Sequence, residues 1–277
     1  MRQVKISEEQ RHRSRIKLAK RSVSGLVVAG IVVLLVVLLS DKAPSKTAAS
    51  TSTSTTTTLV TPSTSTTTTV PVANGLVTVS TPTKPVCPPV GGTAKRYTSF
   101  TTAPPTCIDT AATYEATIKT DVGSFTVKFD TQTSTEAVNN FIFLARNHFY
   151  DSTIFQRVIP NFMDQGGDPT GTGTGGPGYS WTGNTPNSSC TAKADCYPIG
   201  SVAMANSGAT SSNGSQFFIV TGTEGEQLPA SYTLFGQVIS GMSVVQKINA
   251  DGNANASANG VPPKVTHHII SIAVTQL

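Results

Sequence analysis

The segment YEATIKTDVGSFTVKFD (Tyr114–Asp130) alternates apolar and polar positions on both sides of a glycine, the period-two pattern of a β-hairpin. The period then changes. In TSTEAVNNFIFLARNHF, Val138, Phe141, Ile142 and Ala145 fall on one helical face, and Thr133 with Glu136 has the spacing of a capping box. Short β-type runs follow at Ser152–Ile159, Gly200–Ala205, Ser215–Val220, Thr233–Ile239 and His267–Gln276, and a second short helix is predicted over Gly241–Asn249. Many short strands with two helices predict a mainly β domain, a closed or nearly closed antiparallel barrel capped by helices at its ends.

Upstream of this domain the patterning stops. Val23–Ser40, VSGLVVAGIVVLLVVLLS, carries no charge and just reaches the roughly 17–25 residues that a bilayer-crossing helix needs. Residues 1–22 hold eight Lys or Arg against Glu8 and Glu9, so the positive-inside rule places them in the cytoplasm and everything after Ser40 outside. The expectation is a single-pass cell-membrane protein with an uncleaved anchor; a cleaved export signal is the alternative, and both export the remainder. Residues 41–86 are rich in Ser, Thr and Pro and read as a disordered linker, into which GLVTVS (Gly75–Ser80) is absorbed.

Charge and cysteine content narrow the classes. The first 22 residues carry a net +6 while the whole chain is +5, so the rest is close to −1 and has no basic face for nucleic acid. The four cysteines suit an oxidising compartment, and sequence order suggests the pairs Cys87–Cys107 and Cys190–Cys196. A zinc site is the alternative, but the spacings do not fit and the histidines do not cluster with the cysteines. Residues 87–112 thus read as a disulfide-stapled extension, and 113–277 as the main domain.

The candidate chemistry lies in IFQRVIPNFMDQGGDPTGTGTGGPGY, residues 154–179. Arg157 sits inside a short apolar run that contains no Ser, Cys or His to act as nucleophile or base. The glycines that follow lack the Gly-Lys-Ser/Thr ending of a phosphate-binding loop. His148 and the His267–His268 pair are assigned to surface or strand-edge roles. What remains is one cation, a few hydrogen-bonding groups and an apolar pocket.

The blocks FQRVIPNFMDQGGD, GTGTGGPGY, MANSG, NGSQFFI and FGQV, in this order, resemble a cyclophilin-type peptidyl-prolyl cis–trans isomerase over about Thr113–Leu277. The resemblance implies an eight-stranded antiparallel barrel with a helix at each end and an active surface on its outside. It also implies Arg157 and Gln165 as catalytic residues, with Phe155, Phe162, Met163, Ala205, Asn206, Gln216, Phe218, Leu228 and Tyr232 binding substrate. Phe162 and Met163 resemble the floor of the proline pocket and Phe218 its wall, while the Asn206 main chain aligns with the position that pairs with the peptide. No metal or cofactor is implied.

Three positions depart from the family's common pattern. Gln156 replaces a frequent His, Gln227 stands where many members have the Trp that binds cyclosporin, and Tyr232 replaces another His in the manner of bacterial members. With the anchor and linker, these point to a bacterial cell surface. There a monomeric isomerase domain acts on Pro-containing segments of exported or cell-envelope proteins. The alternative is a module that binds such segments, as chaperone or scaffold, with little turnover.

Overall fold

The computed structural model describes residues 75–186 and 196–277. The basic tail, the apolar segment 23–40 and most of the expected linker lie outside these residues, as does Cys190. Among the described residues no helix is long and apolar enough to cross a membrane. Part of the expected linker is built into the fold: β1 (Thr78–Val79) pairs in parallel with β2 (Arg96–Tyr97). Two residues in a Thr-rich run are too few to show a period, which is why the pattern did not separate them from linker.

The predicted hairpin forms as β3 (Tyr114–Thr120) and β4 (Gly123–Phe129). Tyr114, Ala116 and Ile118 face the core from one strand, and Phe125, Val127 and Phe129 from the other. Helix α1 (Thr135–Arg146) follows, without the expected capping box. Its N-cap is Ser134, whose hydroxyl donates to the Leu234 carbonyl, while the Thr133 hydroxyl is taken by the Asp130 carboxylate. Residues Ala137–Arg146 are all buried because the sheet covers one side of α1 and the N-terminal extension the other. Cys107 N donates to Asn139 Oδ1 (2.7 Å), and the Phe100 ring meets Phe143 at 4.8 Å. At the far end Thr93 N and Tyr97 N donate to the carbonyls of Arg146 and Asn147, capping groups that a helix end leaves open. The Cys87–Cys107 disulfide closes this extension as expected.

The rest of the sheet comprises β5 (Arg157–Ile159), β6 (Met163–Gly166), β7 (Ser201–Met204), β8 (Phe217–Val220), β9 (Leu234–Ser240) and β10 (Ile269–Gln276), with α2 (Met242–Ala250) after β9. β6 was not expected: Met-Asp-Gln-Gly contains no β-branched residue and little strand propensity. The strand order is β10-β3-β4-β9-β7-β8-β6-β5, antiparallel throughout.

The expected closed barrel is therefore corrected to a curled half-barrel with β10 and β5 as its edges. Ser152 takes a left-handed conformation (φ 63°), so the run expected as a strand from 152 becomes a three-residue strand starting at Arg157. Across the seam only short contacts form, among them Ser152 N to Ile269 O (2.8 Å) and Phe155 N to His267 O (3.0 Å).

The main core centres on Phe141, whose ring lies 4.8–5.5 Å from those of Tyr150, Phe129, Phe217 and Phe235. A smaller apolar cluster on the other face of the sheet holds Met163, Tyr197, Ala203, Phe218 and Val220. Cys196 is buried there too; its expected partner Cys190 lies outside the described residues. His268 is exposed; His267, expected in a surface or strand-edge role, stands just before the edge strand β10 but is buried between two carboxylates.

Candidate active site

Strand register puts the site together. Arg157 on β5 lies opposite Gln165 on β6, Gln165 opposite Phe218 on β8, and Phe218 opposite Ala203 on β7. Side chains of opposed residues share a face, and Met163, two residues from Gln165, shares it too. Adjacent Phe217 and Phe218 accordingly separate, the first into the main core and the second into the outer cluster.

Loops after β5, β7 and β8 complete the wall. Phe162 stands in the β5–β6 turn, where Asn161 supplies the left-handed residue (φ 62°). Leu228 ends the 3-10 turn Gly225–Gln227, leaving Gln227 exposed at its side. Tyr232 is clamped through its main chain by the Tyr197 hydroxyl, which donates to Tyr232 O (2.8 Å) and accepts from Tyr232 N (2.9 Å). Its ring then stands edge-on to Phe218 at 5.2 Å. Arg157, Phe162, Met163, Gln165, Ala205, Asn206, Phe218, Leu228 and Tyr232 together enclose about 90 Å³. The space suits one small apolar ring.

Nine of the eleven expected site residues thus line one cavity. Gln216 stands just beside it, lining the adjoining one, and Phe155 is the correction. Phe155 is fully buried in the main core, beneath the sheet, because it precedes β5 on the inner side of the seam. Asn206 turns its side chain back into its own loop, donating to Ser231 O and accepting from Gly208 N.

Arg157 is held rather than free. Nη1 donates to Gln165 Oε1 (3.2 Å), Nε to Asn259 O (3.0 Å) and Nη2 to Asn259 Oδ1 (2.7 Å). Burial lowers its pKa, partly opposed by Tyr232. A guanidinium keeps its proton across the physiological range regardless.

Beyond Gln165 the hydrogen bonds continue. Gln216 Oε1 accepts from both Gln165 Nε2 (2.8 Å) and Gln156 Nε2 (2.9 Å), and Gln216 Nε2 donates to the carbonyls of Gly173 and Gly175. Gln156, singled out by sequence as a departure, is therefore a member of this amide chain. The glycine-rich loop is knotted on Asp168, whose carboxylate accepts from the main-chain N–H groups of Thr170, Gly173 and Gly175. Burial alone would raise the Asp168 pKa, but the bonds from Thr170, Gly175 and Gly173 outweigh it and leave it lowered.

Gln165, Ala205 and Asn206 also line a larger, open cavity of about 490 Å³ on the other side of Gln216, walled by Gly173–Pro177, Tyr179, Ser212 and Gly214. The two cavities share Gln165, Ala205 and Asn206 and so form one groove. Asn259 was missed by sequence reasoning. It comes from a segment 102 residues away whose only signal is an Asn-Gly turn dipeptide.

Residues 115–274 match the family model described as cyclophilin type peptidyl-prolyl cis-trans isomerase/CLD. The peptidyl-prolyl cis-trans isomerase cypE of Dictyostelium discoideum is 44% identical over 134 residues, covering 48% of this chain and 83% of that protein. CYP18-2 of Arabidopsis thaliana, also named a peptidyl-prolyl cis-trans isomerase, is 37% identical over 136 residues, 49% of this chain and 80% of the relative. Among solved structures, a Cryptosporidium parvum cyclophilin-type isomerase matches with a TM-score of 0.51 and 28% identity, over 59% of this chain and 98% of that one. The same protein, solved in the presence of the dipeptide Ala-Pro, matches equally well over 58% of this chain. All of these relatives are eukaryotic.

Proposed function

The chain belongs to the cyclophilin-type peptidyl-prolyl cis–trans isomerase family, and from this we infer that Arg157 is the cation that drives its reaction. The activity itself is the acceleration of rotation about X–Pro peptide bonds. Amide delocalisation opposes that rotation with a barrier of ~18–20 kcal/mol. In the twisted transition state the delocalisation is lost and the proline nitrogen becomes a pyramidal acceptor. A fixed donor aimed at that nitrogen binds the transition state better than the ground state, which is the condition for acceleration.

The observation that carries this reading is the immobilised Arg157 guanidinium at the rim of the small apolar cavity. Phe162, Met163, Phe218 and Leu228 grip the proline ring. Gln165 and the Asn206 main chain hold the neighbouring peptide, so one side of the bond is fixed while the other turns. No proton leaves and no covalent intermediate forms, which accounts for an active surface without a nucleophile. The solved relative's Ala-Pro dipeptide fits the same substrate class.

The test is peptide-isomerisation exchange by NMR on the full chain and on Arg157→Ala. We expect kcat/KM to fall by about 100-fold or more, in the range of lost transition-state donors, with peptide affinity within a few-fold. Unchanged turnover in the variant would refute Arg157 as the catalytic cation.

The setting is a separate proposal. Val23–Ser40 anchors the chain in the cell membrane, residues 1–22 remain in the cytoplasm, and the isomerase domain works outside as a monomer on exported or envelope proteins. The motif variants support a bacterial surface, although the relatives reported above are eukaryotic. Protease protection of the tail, but not of the domain, in intact cells is the expected result; the reverse would overturn the topology.

A further inference from the structure

Arg157 takes its orientation from a segment outside the family's substrate-contacting blocks. Between α2 and β10 the chain runs out and back over residues 251–267. Its two ends are tied together. Asp251 O accepts from Lys264 N (2.8 Å) and Val265 N (3.3 Å), and Asp251 Oδ2 meets His267 Nε2 at 2.9 Å. The other imidazole nitrogen, Nδ1, lies 2.9 Å from Asp121 Oδ2 in the β3–β4 turn, so the base of the loop is pinned to the sheet as well. Asp164, buried on β6 beneath the groove, is also within reach of the His267 charge.

The middle of the loop is seated on β5. Val158 N donates to Gly260 O (3.1 Å) and Asn253 N to Val158 O (3.0 Å). Gly260 lies so close to the strand that an added Cβ would stand 2.5 Å from Ile159 Cγ1. Just before it Asn259 adopts a left-handed conformation (φ 49°), which presents its carbonyl and its side-chain amide oxygen in the same direction. Both point at Arg157.

We propose that Asn259 is a positioning residue for the isomerisation, fixing the plane of the Arg157 guanidinium, and that the His267–Asp251 closure holds Asn259 in place. Two adjacent N–H groups on one edge of a planar fork are matched by two oxygens of one residue. That match sets both direction and tilt, which a single acceptor could not do. Gln165 fixes the opposite end, and the remaining N–H groups stay available to the substrate. An arginine side chain left to itself would lose rotamer freedom on reaching the transition state, and here the loop imposes that order beforehand.

This inference rests on Arg157 as the catalytic cation, so the experiment separates the two. Wild type, Asn259→Gly, Asn259→Asp and Arg157→Ala, all in the full chain, are assayed for kcat and KM on a short peptide with one Ala–Pro bond. Glycine accepts the positive φ, so Asn259→Gly removes the side-chain acceptor without backbone strain. The expected result is a kcat lower by about tenfold, the size of one charge-assisted hydrogen bond. KM and the melting temperature stay close to wild type, and most of the turnover returns in Asn259→Asp. His267→Gln, which loosens the base, lowers kcat through the same atoms, so His267→Gln combined with Asn259→Gly is no slower than the slower single variant.

Wild-type kcat in Asn259→Gly, with Arg157→Ala inactive, would overturn the positioning role and leave Arg157 standing. A loss accompanied by a lowered melting temperature and no rescue by Asp would reduce Asn259 to a structural role and also overturn it. Full activity in Arg157→Ala removes the catalytic cation itself, and this inference with it.

Discussion

Asp164 offers a quantitative test of the packing beneath the groove. It lies on β6 between Met163 and Gln165, but its side chain points inward, where it is fully buried. Oδ1 accepts from Asn249 Nδ2 at 2.7 Å, and Oδ2 has no partner among the described residues. Burial pushes its pKa from 3.8 to about 8, against smaller opposing effects of the Asn249 bond and the His267 charge. Between those two values the unfolded chain has released this proton and the native protein has kept it, so the native state binds more protons. Stability therefore falls as pH rises, by about 1.4 kcal/mol per pH unit from this group alone.

Asp164→Asn removes the titration and keeps the acceptor for Asn249. Protonated Asp and Asn both bury one polar group without a partner, so the two proteins have similar stability near pH 4. From pH 5 to pH 7 the variant gains about 3 kcal/mol on wild type. The assay is urea unfolding monitored by the Trp181 fluorescence, with midpoints and slopes measured at half-unit pH steps. The comparison is between the two proteins because His267 also weakens the fold as pH rises. Stability curves that stay parallel within about 0.5 kcal/mol, less than half of the change expected over a single pH unit, would falsify a native Asp164 that holds its proton.

Three other outcomes follow from the same structure. Leu228→Ala, on the open side of the small cavity, raises KM by about fivefold, the equivalent of roughly 1 kcal/mol of lost apolar contact, with kcat retained. In the His267 cluster burial would lower the histidine pKa, but the bonds and charges of Asp121 and Asp251 raise it overall. Its stabilisation is thus complete below the ordinary histidine value of 6.5 and is lost as pH rises through the raised one, so the stability gap between wild type and His267→Gln narrows from pH 6 to pH 9. Replacing both Cys87 and Cys107 by Ser, which opens a loop closed over 20 residues, costs about 3 kcal/mol in the extension. Hydrogen exchange speeds up at residues 96–101 and stays slow in β3 and β10.

What the sequence made legible follows from how local each signal is. The β3–β4 hairpin was readable because its alternation is strict and its partner strand is its neighbour in sequence. β6 was not, since a buried aspartate and a glutamine break the apolar pattern, and only the pairing with β8 makes Met163–Gly166 a strand. Most of the lining of the small cavity was legible in sequence because its residues sit in a few contiguous blocks. Phe155 was misplaced for the opposite reason: being two residues from Arg157 says nothing about which side of a seam the chain passes. His267 and Asn259 owe their roles to partners far along the chain, Asp121 in one case and Arg157 in the other, and no period or dipeptide encodes such distances. The open seam likewise depends on one left-handed residue, Ser152, which no glycine or asparagine announces.

The staple between Cys87 and Cys107 also decides how the domain carries mechanical load. A pull applied at Gly75 travels along β1 to Cys87 and crosses the covalent bond to Cys107, then enters the sheet through Tyr114 at the start of β3. Residues 88–106 form the other branch of that circuit, and the β1–β2 pairing and the Thr83–Phe100 bridge pass part of the load to them ahead of the staple. They include Phe100, whose amide donates to the carbonyl of Pro177 (2.8 Å) in the wall of the larger cavity. β3 itself lies between β4 and β10, so the tension that passes the staple is shared by two ladders. The covalent link thus limits how far residues 88–106, and with them the Phe100–Pro177 contact at the groove wall, can be drawn out by a pull on the N-terminal side.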